Sequence, residues 1–291
     1  MVFKRKNKLF LIPALALLIL TLTLSSCIYP DSGIPPIISV PASQLSGTIT
    51  EAGSTTVQPL AEKLAAQFTK NNPKVTITIQ GGGTAVGITS ANDGTVDIGA
   101  ASRELTASDP PLVKWLLARD GITVIVHPSN PLTGLTKTQV RDIFSGKITN
   151  WKDVGGADKK IDVVSREEGS GTRTAFQDLV MGKDASGKDI NIVNSAIFQS
   201  SNGALKQVVL GDAGSIGYLS LGYLDSSVKA LSIDGIVPTE ANSKSGTYPI
   251  VRPLYFLTKS QPTGLVKAFI NFCQSTEVQK IIADEGYVSV K

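Results

Sequence analysis

From Gly47 onward, short β-branched runs alternate with stretches of helical period, and this alternation constrains the fold more than any other feature of the chain. Residues 48–50, 75–80, 96–100, 122–127, 161–165, 216–219 and 250–257 read as strands. Leu60, Leu64 and Phe68 share one face of a helix, and 112–118 and 140–144 carry the same period. Thr136 followed by Gln139 offers a capping box for the 140–144 helix. Strands alternating with helices predict an α/β fold with mainly parallel sheets. No repeat of solenoid length interrupts the pattern. The roughly 245 residues involved suit two lobes by the usual size of domains.

The chain begins differently. A basic segment with Lys4, Arg5, Lys6 and Lys8 precedes an apolar run from residue 9 to 24, which ends in Leu24-Ser25-Ser26-Cys27. The run is short for a membrane span and a small-residue processing site follows it, so residues 1–26 read as a signal peptide. The Leu-Ser-Ser-Cys ending resembles a prokaryotic lipobox, which makes Cys27 the expected lipidation site and mature N-terminus. Residues 27–46, with Pro30, Pro35, Pro36 and Pro41, read as an extended tether. The expected location is therefore the outer face of a cell membrane, with the protein held by a lipid anchor.

Charge excludes one class of partner. The formal net charge of +4 comes from four basic residues of the leader, and the remainder balances at 24 basic against 24 acidic residues. Such a balance gives no support to a basic patch bound to nucleic acid. Two cysteines allow no disulfide framework or metal cluster once Cys27 is lipidated, and Cys273, in KAFINFCQ, reads as a buried small hydrophobe.

Three turns of one composition carry the chemistry. Gly53-Ser54-Thr55-Thr56, Gly81-Gly82-Gly83-Thr84 and Gly169-Ser170-Gly171-Thr172 each stand just before a helical stretch, the first two directly after strands. Glycine lets the backbone turn tightly and exposes consecutive N–H groups. Hydroxyls add short donors, and the helix dipole favours negative charge at the first turn. Any one such turn is ordinary N-capping. Three of them, with Arg166 beside the third, point to a shared anion site. No Walker lysine follows the glycines, so nucleotide hydrolysis is not indicated. The planar fork of Arg166 suits a tetrahedral oxyanion.

Two carboxylates fit that reading. Asp97, in Val96-Asp97-Ile98-Gly99, is expected to accept a proton from the anion. Phosphate keeps a proton near neutral pH and sulfate keeps none, so an ionised Asp rejects sulfate through an unmade bond costing about 1–3 kcal/mol. Glu168 is expected to orient Arg166 and offset part of its charge. Arg103 and Arg173 are placed either at the frame of the site or on the surface.

At these residues the chain resembles the phosphate-binding proteins of high-affinity phosphate ABC transporters, which have a two-lobed type II periplasmic-binding-protein-like fold. The segments GSTTVQPLAEKLAAQF, GTVDIGAASREL, IFSGKITNW, REEGSGTR, IGYLSLGYL and YPIVRPLYF occur in the family's order between about Gly47 and Lys291. Residue by residue, the resemblance implies phosphate contacts from Thr55, Thr56, Thr84, Asp97, Arg166, Ser170, Gly171 and Thr172, with Ser54 and Glu168 in support. Thr84 and Val86 depart from smaller residues common in the family, and Glu168 stands where some members have Asp. The resemblance further implies two crossing strands, near 124–127 and 248–251, with the ligand between the lobes. One lobe would take 47–124 plus 250–291, the other 125–249.

The expected function is capture of inorganic phosphate and delivery to the permease and ATPase of an importer, by a monomer with no cofactor and no metal. Binding of sulfate, molybdate or tungstate, and envelope phosphate sensing, are the alternatives. A hydrolase would need a nucleophile and base. His127, the one histidine, sits in the apolar run ITVIVHP, and no Gly-x-Ser-x-Gly elbow or metal-ligand spacing occurs.

Overall fold

The computed structural model describes residues 45–291, so the expected leader, Cys27 and the tether through residue 44 lie outside the described residues. The first part of the chain forms strand β1 (Ser46–Gly53), helix α1 (Gln58–Asn71), β2 (Lys74–Gly81), α2 (Thr84–Asp93), β3 (Ile98–Ala101) and the long β4 (Val113–Val126). Next come β5 (Gly134–Leu135), α3 (Lys137–Phe144), β6 (Asp162–Arg166), α4 (Gly171–Phe176), β7 (Ile197–Gln199), α5 (Asn202–Gly211) and β8 (Ser215–Ser220). The chain closes with β9 (Lys229–Ala230), β10 (Ser232–Ile233), α6 (Glu240–Ser245), β11 (Val251–Thr258), α7 (Gly264–Cys273) and α8 (Thr276–Asp284).

The main sheet runs β2-β1-β3-β11-β4-β8-β6-β7, and β4 belongs to both of its halves. Its first part pairs with β11 as far as Gly121↔Val251, and from Ile122↔Ser220 onward it pairs with β8. The change of partner falls at Gly121/Ile122, a few residues before the stretch expected to cross. Ile122 N also donates to Ile250 O at 2.8 Å, so the two crossing strands are tied together where the lobes meet. Outer pairs of each half are parallel (β1 with β2 and β3, β6 with β7 and β8), whereas β11 and β4 run antiparallel to their neighbours. Mainly parallel sheets were expected. Two strands that pass between lobes and return have to run in opposite senses at the centre.

The segment 112–118, expected as a helix, is the start of β4. A register irregularity between Leu254 and Tyr255 pairs them with Ala118 and Leu116 and skips Leu117. This breaks the strict alternation that announces a strand, and leaves apolar residues at a spacing that mimics a helix. Pairing along β11, with Trp115 Nε1 donating to Thr258 Oγ1 at 2.9 Å, overrides the local pattern.

Each half-sheet is covered on both faces. Ile49, Leu60, Leu64, Phe68, Phe256 and Phe269 form one core, and Ile122, Phe144, Trp151, Phe176, Tyr218 and Tyr248 another. Ile88 and Leu257 back the first half, and Val164 and Leu205 the second. The capping box on α3 forms as expected: Thr136 Oγ1 accepts from Gln139 N and Gln139 Oε1 from Thr136 N. Cys273 is buried, and burial pushes its thiol well up. Among the described residues, no helix is long and apolar enough to cross a membrane.

Candidate functional site

The three glycine-threonine turns follow β1, β2 and β6 at their carboxyl ends, where open α/β sheets bind ligands. Pro59 stands in the first turn of α1, where its missing N–H costs no bond. Ser54 Oγ accepts from Thr56 N at 3.2 Å, which shapes the first turn. At the second turn, Gly83 holds φ 92 as N-cap of α2, a conformation that side chains resist. At the third, Ser170 caps α4 by accepting from Arg173 N at 3.3 Å.

Direct bonds join the turns across the lobes. Ala85 N donates to Gly169 O at 3.0 Å, and Thr56 Oγ1 lies 3.0 Å from Thr172 Oγ1. Arg166 Nη2 donates to Thr55 Oγ1 at 3.2 Å, and Tyr223 Oη to Thr55 O at 2.7 Å. Burial pushes the Tyr223 phenol up to about 12, so it stays a donor. A side chain at Gly171 would strike Thr84 Oγ1 and Ser102 Oγ, which fixes how closely α4 approaches the second turn.

Arg166 lies at the centre and is 1% exposed. Its Nε donates to Glu167 Oε2 and to Gln199 O, both at 3.0 Å, and Nη2 reaches Glu167 Oε1 at 2.9 Å and Ser200 O at 3.1 Å. Nη1, on the far side of the guanidinium from that carboxylate, is buried with no hydrogen-bond partner among the described residues. A buried cationic donor left unpaired is costly, and an acceptor of opposite charge is the natural remedy. The first N–H groups of α4, at Gly171 and Thr172, have no intrahelical acceptor and add to the donor surface.

Thr55, Thr56, Thr84, Arg166, Ser170, Gly171 and Thr172 are therefore brought together, with Ser54 behind them. Two expected residues are not. Asp97 is exposed and precedes β3 instead of ending a strand; its Oδ2 accepts from Thr50 N at 2.8 Å and Thr50 Oγ1 at 2.9 Å. The parallel register sets Glu51 beside Ile98, which puts Asp97 level with Thr50. The cleft end of β3 lies five residues further on at Ser102, about 16 Å along an extended chain. That end carries a hydroxyl, Ser102 Oγ, 3.3 Å from Thr84 Oγ1. Glu168 is exposed, and Glu167 takes its expected place beside Arg166. The turn at Gly169, with φ 85, folds Glu167 back along the guanidinium and turns Glu168 to solvent.

Sequence reasoning missed a buried network beneath the turns. Arg252 Nε and Nη2 donate to Asp120 Oδ2 at 3.1 and 2.8 Å, and Ser220 Oγ donates to Asp120 Oδ1 at 2.8 Å. Asp120 and Arg252 are register partners on the two crossing strands. Burial pushes the Asp120 carboxyl up against the opposing pull of Arg252. Arg252 Nη1 also donates to Ser102 O at 3.1 Å, and Tyr287 Oη to Thr56 O at 3.1 Å. The available signal was a charge inside an apolar strand, in LLARDGITVIV and IVRPLYFL, which needs a partner to be buried. Arg103 pairs with Asp109 at 2.7 Å, while Arg173 Nη1 donates to Arg166 O at 3.3 Å and its guanidinium covers the Phe198 ring. His127 Nδ1 accepts from Ser129 N at 3.1 Å in the turn after β4.

A family profile described as the PBP superfamily domain matches residues 39–277. The phosphate-binding protein PstS of Bacillus subtilis (strain 168) is 36% identical over 251 residues, covering 84% of this chain and 81% of its own. PstS of Borreliella burgdorferi is 30% identical over 247 residues, covering 82% and 88%. Among solved structures, a proposed phosphate ABC transporter substrate-binding protein with bound phosphate from Clostridium perfringens superposes with TM-score 0.79 at 39% identity, over 84% of this chain and all of that one. An ABC-type phosphate transport receptor from Vibrio cholerae gives TM-score 0.69 at 36% identity, over 82% and 99%. The chain belongs to the PBP superfamily and, within it, to the family of PstS phosphate-binding proteins.

Proposed function

We propose that this chain captures inorganic phosphate between its lobes and delivers it to the permease and ATPase of an ABC-type importer. The observation that carries the reading is Arg166 Nη1, a buried cationic donor without a partner among the described residues, amid the hydroxyls and helix N-terminus of the converging turns. Thr55, Thr56, Thr84, Arg166, Ser170, Gly171 and Thr172 are the proposed contacts, with Ser54 shaping the first turn and Glu167 orienting the guanidinium. Thr55, Thr56 and Thr84 come from one lobe and Arg166, Ser170, Gly171 and Thr172 from the other, so only the closed state offers both halves to the anion. Binding and closure are then one equilibrium, and an importer reads occupancy as shape.

The relatives' names support a binding role over catalysis. The Leu24-Ser25-Ser26-Cys27 ending, which resembles a lipobox, and the proline-rich tether support a lipid anchor on the outer face of the membrane. Titration calorimetry with inorganic phosphate tests the reading. The expected dissociation constant is micromolar or tighter, about −8 kcal/mol or beyond, and no heat with phosphate refutes it. A second reading, another tetrahedral oxyanion, gains support from one observation: Asp97, which would have rejected proton-free anions, is engaged by Thr50.

A further inference from the structure

The bonds that join the lobes across the cleft are of two kinds. Thr56 Oγ1 with Thr172 Oγ1, Arg166 Nη2 with Thr55 Oγ1, and Asn202 Nδ2 with Thr56 Oγ1 each use a hydroxyl or guanidinium proposed to touch the anion. Two others do not. Ala85 N to Gly169 O joins two backbones, and Tyr223 Oη to Thr55 O joins a phenol to a backbone carbonyl. At 2.7 Å the phenol bond is the shortest of these. A phenol has one proton. With that proton committed to Thr55 O, Tyr223 has only lone pairs left, which repel an anion, so the side chain serves the lobes and not the ligand.

The bond spans the moving parts. Tyr223 follows β8 in the second lobe, and Thr55 follows β1 in the first. In the main sheet β3, β11 and β4 stand between β1 and β8, which places these two about 19 Å apart across the sheet. Both crossing strands lie between them, so rotation of one lobe on the other separates Tyr223 from Thr55. The turn that carries Tyr223 is held from behind by α5. Lys206 Nζ donates to Tyr223 O at 3.2 Å and pairs with Asp225 at 2.9 Å, and the Tyr223 ring faces Gly203. The second lobe thus presents the phenol as a fixed donor.

We propose that Tyr223 is the latch of the closed state: a positioning residue that holds the lobes together through Thr55 O, touches no anion, and sets how fast phosphate leaves. The inference rests on the phosphate reading above, because it assigns the same cleft its rate of release. Phosphate enters while the lobes are apart, before the latch forms, so loss of the bond falls on dissociation and not on capture. A partner that draws the 221–225 turn away from Thr55 breaks the latch and frees the anion without reaching into the cleft.

Tyr223→Phe removes the donor and keeps the ring. Release from the purified, phosphate-loaded full chain is followed by stopped-flow mixing with a fluorescent phosphate sensor. Equilibrium dialysis with radiolabelled phosphate gives the dissociation constant. Release is expected to quicken about three- to tenfold, the worth of one neutral hydrogen bond. The dissociation constant should rise by the same factor, which leaves the association rate within about twofold of the wild type.

A release rate equal to that of the wild type overturns the latch. So does a weaker affinity carried by slower association, the mark of a merely structural defect in the open site. Absence of phosphate binding by the wild type overturns the phosphate reading, and the latch with it. Should thermal unfolding reveal that Tyr223→Phe does not fold, Lys206→Met decides. It keeps the apolar stem and the phenol but frees the turn behind Tyr223. Release is then expected to quicken about twofold or more with association unaltered, and an unchanged release rate overturns the proposal.

Discussion

Glu51 gives the sharpest quantitative test of the electrostatics. It lies on β1, 2% exposed, with Oε2 lacking a hydrogen-bond partner among the described residues, and burial followed by the nearby Glu62 pushes its carboxyl up from 4.5 to about 8. The unfolded chain gives up this proton near the ordinary value, whereas the folded chain holds it to about pH 8. Between those points the folded state binds more protons than the unfolded one, so stability falls as pH rises, by about 1.4 kcal/mol per unit from this group. The stabilising effect of the bound proton is complete below the unfolded value and gone above the folded one. Glu51→Gln removes the charge and keeps the shape. The variant should be more stable than the wild type by roughly 2–4 kcal/mol at pH 8, with the gap shrinking below about 1 kcal/mol at pH 5. Urea unfolding of both proteins at intervals from pH 5 to 9 measures the difference, in which all other titrations cancel. Parallel stability curves would show that Glu51 is ionised in the folded state, and would refute the reasoning.

The cleft makes further predictions. Arg166→Met should weaken phosphate binding by at least a hundredfold, about 3 kcal/mol, because it removes the free Nη1 donor and leaves Glu167 unpaired; calorimetry showing a change below threefold would remove Arg166 from the site. Asp97→Asn should leave anion affinity and selectivity unaltered and cost about 1 kcal/mol of stability, since the carboxylate serves Thr50. A shifted phosphate-to-sulfate ratio in that variant would return Asp97 to the cleft. Gly171→Ala places a methyl against Thr84 and Ser102, so phosphate binding should be lost while the separate lobe cores persist in a cooperative thermal transition. Native affinity there would mean that the lobes do not approach as described.

Much of the molecule was legible in the order of its residues. Period, β-branching and glycine placement announced the strand–turn–helix units, and the Thr136–Gln139 capping box formed as read. Local rules worked there because a turn or a cap is made by neighbours in the chain. The three glycine-threonine turns were legible in the same way, whereas the individual contacts at Thr55, Thr56, Thr84, Arg166, Ser170, Gly171 and Thr172 were implied by the family resemblance; the structure sets these turns at the carboxyl ends of strands.

What the chain order left open was decided by partners distant in sequence. Residues 112–118 have a helical look and became a strand because β11, more than a hundred residues later, pairs with them. Asp97 and Ser102 lie five positions apart, and only the register of β3 against β1 says which of them reaches the cleft. Glu167 and Glu168 differ in role through a single turn at Gly169. Asp120 and Arg252 were visible as charges in apolar strands, yet their meeting beneath Thr56 is a property of the sheet. Sequence fixes what each residue can donate or accept; strand register and lobe contact fix which partner comes within about 3.5 Å, beyond which a hydrogen bond is not made.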